Sequence, residues 1–111
     1  MQTLIAPQQY LVIRPHGYLN ASNAIEFQHQ VTTGIAQECY NNLLVDLEQV
    51  ESLDSAGLMA LVYGLRLAQA LDRRFSICSV SPSIRMIFEI TQLDQVFEVF
   101  ESVVAFEGVS A

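Results

Sequence analysis

Two rhythms of apolar and polar positions alternate along the chain. The brief run Leu43-Leu44-Val45-Asp46-Leu47, with asparagines ahead of it and acids behind, reads as a buried strand. After it, Leu58, Leu61, Val62, Leu65 and Ala68 recur at i, i+3, i+4, i+7 and i+10, the apolar stripe of a helix laid on a sheet. The stripe predicts a long helix over about residues 56–71. Asp54 and Ser55 then fall at a helix N-terminus, on the lip of a strand–helix junction. In an open α/β sheet, ligands and partners meet the carboxyl ends of strands, so the candidate function belongs there.

The rest of the pattern fits around this junction. Thr3-Leu4-Ile5-Ala6 is a short strand candidate stopped by Pro7, and Tyr10-Leu11-Val12-Ile13-Arg14 pairs with it as a hairpin. Pro15-His16-Gly17 bends the chain before Tyr18-Leu19. A first helix begins near Ser22 or Asn23, where Asn23 followed by Glu26 is a variant capping box. Ala24, Phe27, Val31 and Ile35 form its apolar side, and Asn41-Asn42 is turn chemistry before the next strand. Asp72-Arg73-Arg74 turns the chain into a strand over residues 75–80. Ser81-Pro82 opens a third helix as cap and first helical residue, with Ile84, Ile87 and Phe88 as its buried side. Residues 96–100 read as a last strand, and residues 103–106 as a terminal turn of helix. The alternation of strands and helices predicts an α/β fold, with a largely parallel mixed sheet of four to five strands and about four helices.

Composition narrows what such a fold does. At 111 residues the chain makes one domain, with a core over about residues 10–102 and a C-terminal tail or short helix over 103–111. A formal net charge of -7 argues against binding a nucleic-acid backbone or an anionic membrane surface, both of which need clustered Lys and Arg. The longest nearly unbroken apolar run, residues 58–65, is far below the roughly 20 residues of a membrane span, and the N-terminus lacks the form of a secretory signal. Cys39 and Cys78 stand apart without CxxC spacing, which fits small packing residues in a reducing cytoplasm. His16 and His29 share no ligand spacing, and no phosphate-cradling glycine motif occurs. Neither a metal nor a cofactor is expected, and the chain should not bind ATP itself.

The order of elements, the stretch Asp54-Ser55-Ala56-Gly57-Leu58, the Ser81-Pro82-Ser83 helix start and the Glu89-Ile90-Thr91-Gln92-Leu93 close resemble the STAS domain. Within that family, the nearest likeness is to bacterial anti-sigma factor antagonists. The resemblance implies a partner switch. An unmodified antagonist binds a serine-kinase anti-sigma factor, which uses its own ATP to phosphorylate the serine after the motif aspartate. A PP2C-type phosphatase reverses the step. By position the acceptor is Ser55, with Asp54 as its motif neighbour and Gly57 continuing the motif. Three positions depart from the usual pattern. Asn20 stands in Gly17-Tyr18-Leu19-Asn20 where an aspartate is common. Ala56 replaces a second hydroxyl, and Gln92 replaces the glycine that usually ends the third helix, which implies a positive φ there.

Elementary electrostatics suits such a switch. A phosphate adds roughly -1.5 to -2 charge, which a helix N-terminus tolerates and an acidic lip of Glu48, Glu51 and Asp54 reinforces. Met59 and Tyr63, at i and i+4 away from the buried stripe, supply the apolar half of an interface, and Gly64 lets another backbone come close. The expected partner contacts are Asn20, Asp54, Ser55, Ala56, Gly57, Met59 and Tyr63. Blander roles compete with these: Asp54 or Ser55 as a plain cap, Met59 and Tyr63 as peripheral core, and the acids as a solvated edge. No nucleophile–base pair is readable, so an enzyme is not expected. The competing function is an accessory STAS subunit or scaffold in a lipid-transport or sensing assembly, indifferent to charge on Ser55. A third is a small-molecule binder in the crevice beside it. An acidic chain of this size is compatible with a monomer or a weak homodimer.

Overall fold

The apolar run at Leu43 lies inside a sheet, where a strand covered on both faces has to lie. The computed structural model describes residues 10–37 and 39–110. Its strands are β1 (Tyr10–Ile13), β2 (Gly17–Leu19), β3 (Asn42–Asp46), β4 (Val50–Leu53), β5 (Arg74–Cys78) and β6 (Glu98–Phe100). Its helices are α1 (Ala24–Ala36), α2 (Ser55–Ala70), α3 (Pro82–Thr91) and α4 (Val103–Ser110), with a 3-10 turn at Leu93–Gln95 between α3 and β6. Four strands form one sheet in the order β1-β3-β5-β6, and β2 and β4 form a separate two-stranded ladder. Among the described residues every strand pair is parallel, in line with the largely parallel sheet expected. The antiparallel partner expected for β1, over residues 3–6, lies outside the described residues.

The β2–β4 ladder is the main correction to the sequence pattern. The helix of Ser55 follows not the Leu43 strand directly but a further strand, β4, which runs beside β2 with Leu19 opposite Leu53. Other bounds shift slightly: the strand expected over 75–80 spans Arg74–Cys78, and the one expected over 96–100 is only Glu98–Phe100.

Helix starts and stops follow from local chemistry. Ser81 accepts a hydrogen bond from the Ile84 N–H at 3.3 Å and Pro82 sits in the first turn, as expected. α3 ends at Gln92 with φ 62°, the left-handed turn implied by the missing glycine. The capping box does not form at α1. Asn23 makes no side-chain cap bond; its amide donates to Tyr18 O at 2.7 Å and its Oδ1 accepts from Asn20 N at 2.9 Å, which ties the end of β2 to the helix start.

Side chains alternate across the sheet, and the two faces differ. Leu11, Ile13, Leu43, Val45, Phe75, Ile77 and Val99 join the main core with α1, α2 and α3. Gly64 permits the closest approach there. A Cβ on it would stand 2.5 Å from Val31 Cγ1 and 3.0 Å from Phe75 Cε2, so its small size serves packing within the fold rather than a visiting backbone.

The opposite face carries a separate buried cluster of Leu44, Cys78 and Phe106, flanked by Tyr10, Val12, Phe100 and Val103. Arg74 meets Glu98 there through two bonds, at 2.7 and 2.8 Å, and Ser76 donates to the same carboxylate at 2.7 Å. Arg74 chiefly, with Ser76, holds the Glu98 carboxyl below its ordinary range. The Tyr10 hydroxyl donates to the Glu107 carboxylate, and that bond raises its pKa. Burial pushes the Cys78 thiol up to about 11. Both cysteines are free; Cys78 packs as expected, but Cys39 is exposed and packs against no core. No helix among the described residues is long and apolar enough to cross a membrane.

Candidate functional site at the start of α2

The site is assembled where β4 hands the chain to α2. Asp54 continues the strand with φ -97° and ψ -172°, and its N–H donates to Leu19 O at 3.0 Å, extending the β2–β4 ladder by one bond. Its carbonyl then accepts the first helical bond, from Leu58 N at 2.9 Å. Its side-chain Oδ1 accepts from Ala56 N at 2.9 Å and from Gly57 N at 3.1 Å. Asp54 is therefore the cap, and two of the free N–H groups of the helix start are satisfied by a carboxylate.

That leaves Ser55 as the first helical residue rather than the cap. It is exposed, and no hydrogen bond from another described residue occupies its Oγ. A hydroxyl at this position stands in the positive end of the helix dipole, with water access and no internal partner to lose.

The neighbours fall into three groups. Asn20 is half-buried beside the ladder; its Oδ1 accepts from Ser22 N at 3.0 Å and from Ser22 Oγ at 2.6 Å. Both are bonds to an acceptor oxygen, which an aspartate would equally supply, so the turn survives the loss of charge at this position. Gly57, grouped above with the contact residues, is buried. A Cβ on it would lie 2.7 Å from Leu19 O and 2.9 Å from Leu53 Cδ1, so its bare backbone lets α2 sit directly on the ladder. Ala56 is half-buried beside it, while Glu48, Glu51 and Asp54 are all exposed.

Met59 and Tyr63 are on the outer surface, 60% and 50% exposed, which removes the peripheral-core alternative for both. With Gln28, Val62 and Arg66 they line a depression of about 450 Å³ between α1 and α2. Arg66 and Gln28 escaped the sequence reading. Arg66 was within reach, three residues past Tyr63 on the same helical face. Gln28 comes from α1, and only the packing of the two helices brings it there. Among the described residues no group of three or more His, Cys, Asp or Glu could hold a metal ion.

Comparison with known proteins gives the same outline. The family model described as STAS domain matches residues 3–105. A Thermotoga neapolitana protein named as an anti-sigma factor antagonist is 26% identical over 86% of this chain and 85% of its own. The crystal structure of a Thermotoga maritima protein given the same role superposes with a TM-score of 0.84 at 22% identity, covering 91% of this chain and 86% of that one. The phosphorylated form of the Bacillus cell fate determinant SpoIIAA superposes with a TM-score of 0.70 at 20% identity, covering 96% of both chains.

Proposed function

The chain belongs to the STAS domain family, and from that premise we propose that it is a non-enzymatic switch of the anti-sigma factor antagonist kind, gated by phosphorylation of Ser55. The unmodified form docks on a serine-kinase anti-sigma factor. The kinase transfers a phosphoryl group from its own ATP to Ser55 Oγ, the complex separates, and a PP2C-type phosphatase restores the starting state. The single observation that carries this reading is the division of labour at α2. Asp54 caps the helix, and the adjacent Ser55 hydroxyl is exposed and uncommitted.

The electrostatics work in one direction. A phosphate on Ser55 is tolerated by the fold, because the remaining N–H groups and the dipole of α2 favour an anion. Docking is not indifferent to it. The new charge stands beside Asp54, near Glu51 and Glu48, and would have to be desolvated against a surface shaped for a neutral hydroxyl. A penalty of roughly 3 kcal/mol weakens binding about a hundredfold. Met59, Tyr63 and the depression they share with Arg66 form the apolar shoulder of the same contact, with Asn20 at its edge.

The test is direct. Intact-mass analysis of the protein from its native cell, before and after phosphatase treatment, should show a removable phosphate mapping to Ser55. With the cognate kinase in hand, Ser55→Ala should bind and Ser55→Asp should not. Equal affinity of the two variants would refute the switch.

A further inference from the structure

The buried polar side chains among the described residues are Asn42, Asp46 and Ser76, and strand alternation puts all three on the sheet face that carries the Leu44–Cys78–Phe106 cluster. From this asymmetry we propose that α4 is a two-state lid, pinned by Phe106, which opens while the rest of the domain stays folded. Phe106 is the one fully buried side chain among the described residues of α4, seated 4.9 Å from the Tyr10 ring and 5.4 Å from the Phe100 ring. The cluster it completes shares no buried residue with the main core. Among the described residues its other fastenings are the Tyr10–Glu107 hydrogen bond, which is exposed, and the Arg74 guanidinium 5.4 Å from the Phe106 ring; Ser102 Oγ, which accepts from Ala105 N at 3.1 Å, caps the helix start.

The face under the lid is prepared for water. Ser76 and Arg74 bond Glu98, and Arg14 bonds Asp46 at 3.2 Å, all within the sheet and its edge, so none of these bonds needs α4. A wholly apolar face would cost more to uncover, because every part of it would expose apolar surface to water. A helix of eight residues does not persist alone, so opening amounts to release and melting of α4. What it bares, on the side of the sheet opposite α2, is a surface of Leu44, Cys78, Phe100 and Tyr10 with charged groups among them.

The two cysteines make the lid measurable in the full chain. With the aromatic disulfide DTNB, each accessible thiolate takes one thionitrobenzoate in a mixed disulfide and releases the other as a coloured thiolate. Exposed Cys39 should react at once, and Cys78, at 0% exposure beneath Phe106, only on opening. Cys78 labelling is expected to depend weakly on urea. Hydrogen exchange should give the α4 amides the same opening constant as Cys78, with the amides of Leu43 and Val45 protected at least tenfold better. Phe106→Ala should accelerate Cys78 labelling by about a hundredfold or more while the protein stays folded. The lid is refuted if Cys78, α4 and β3 all open together with the urea dependence of global unfolding, or if Phe106→Ala unfolds the whole domain.

Discussion

On one face of the four-stranded sheet, Leu43, Val45, Phe75 and Ile77 meet three helices and a wholly apolar surface; on the other, Leu44 and Cys78 share the sheet with Asn42, Asp46 and Ser76 under a single short helix. Both faces are cut from the same strands, residue by alternate residue, so the difference is one of side-chain chemistry and not of backbone. The dry face holds α2, and α2 carries Ser55. Under the proposed function, a hydroxyl that a partner has to find in one place is mounted on the most extensively packed part of the molecule. The half-polar face holds α4, and among the described residues no bond joins α4 to Ser55. The fold thus separates a rigid mounting from a removable cover.

Neighbouring leucines on β3 can break that comparison. Leu43 faces the dry side and Leu44 the half-polar side, at 2% and 0% exposure. Leu43→Ala leaves a cavity in the main core beneath α1 and should cost about 3–4 kcal/mol in urea unfolding. Leu44→Ala should cost nearer 2 kcal/mol, because α4 can settle into the space. Equal losses from the two would mean that both faces are equally rigid.

A smaller effect tests the mounting itself. Asp54→Ala removes the acceptor for Ala56 N and Gly57 N, and should cost about 1 kcal/mol in thermal or urea unfolding. It should also fray the first turn of α2, seen as faster amide exchange at Ala56 and Gly57, without affecting Cys78. Smaller still, Gln92→Gly should stabilise by up to about 1 kcal/mol by relieving a left-handed residue at φ 62°. The gain would appear as a raised urea midpoint.

How far the sequence carried these points varies with their cause. β3, α2, the Ser81 cap and the Gln92 turn are written in local periodicity and turn chemistry, and all were legible. The β2–β4 ladder was not. Val50-Glu51-Ser52-Leu53 is four residues long with only its ends buried, and its partner strand has three residues and a register shift at Gly17/Tyr18. Neither segment has enough period to stand out alone; the pairing exists because the chain ends of β1 and β3 are already side by side. The choice between Asp54 and Ser55 as the cap was open for a similar reason. Both residue types cap helices, and the bond from Asp54 N to Leu19 O, a contact between distant segments, fixes which one does. Phe106 went unread as a core residue because α4 has little amphipathic pattern, and its burial depends on a ring cluster gathered from three elements.

The smallest expected effect sharpens the contrast through pH. Glu98 is held below its ordinary value of 4.5 by Arg74 and Ser76, so its contribution to stability is present above that value and is lost as pH falls through its lowered folded-state pKa. Its side chain is 45% exposed, so solvent screening keeps that contribution under about 1 kcal/mol. Glu98→Gln should therefore lower stability slightly at pH 7, and the difference from the unmodified chain should close as pH falls through the lowered folded-state pKa and shrink in high salt. The consequence for the cover is more specific than the loss of an ion pair. The Arg74 guanidinium lies 5.4 Å from the Phe106 ring and 5.7 Å from that of Phe100, and Glu98 bonds it in that position. Releasing it should speed Cys78 labelling a few-fold at pH 7 while leaving the exchange of Leu43 and Val45 amides unchanged. If those two amides quicken along with Cys78, the half-polar face is coupled to the dry one, and the separation of mounting from cover does not hold.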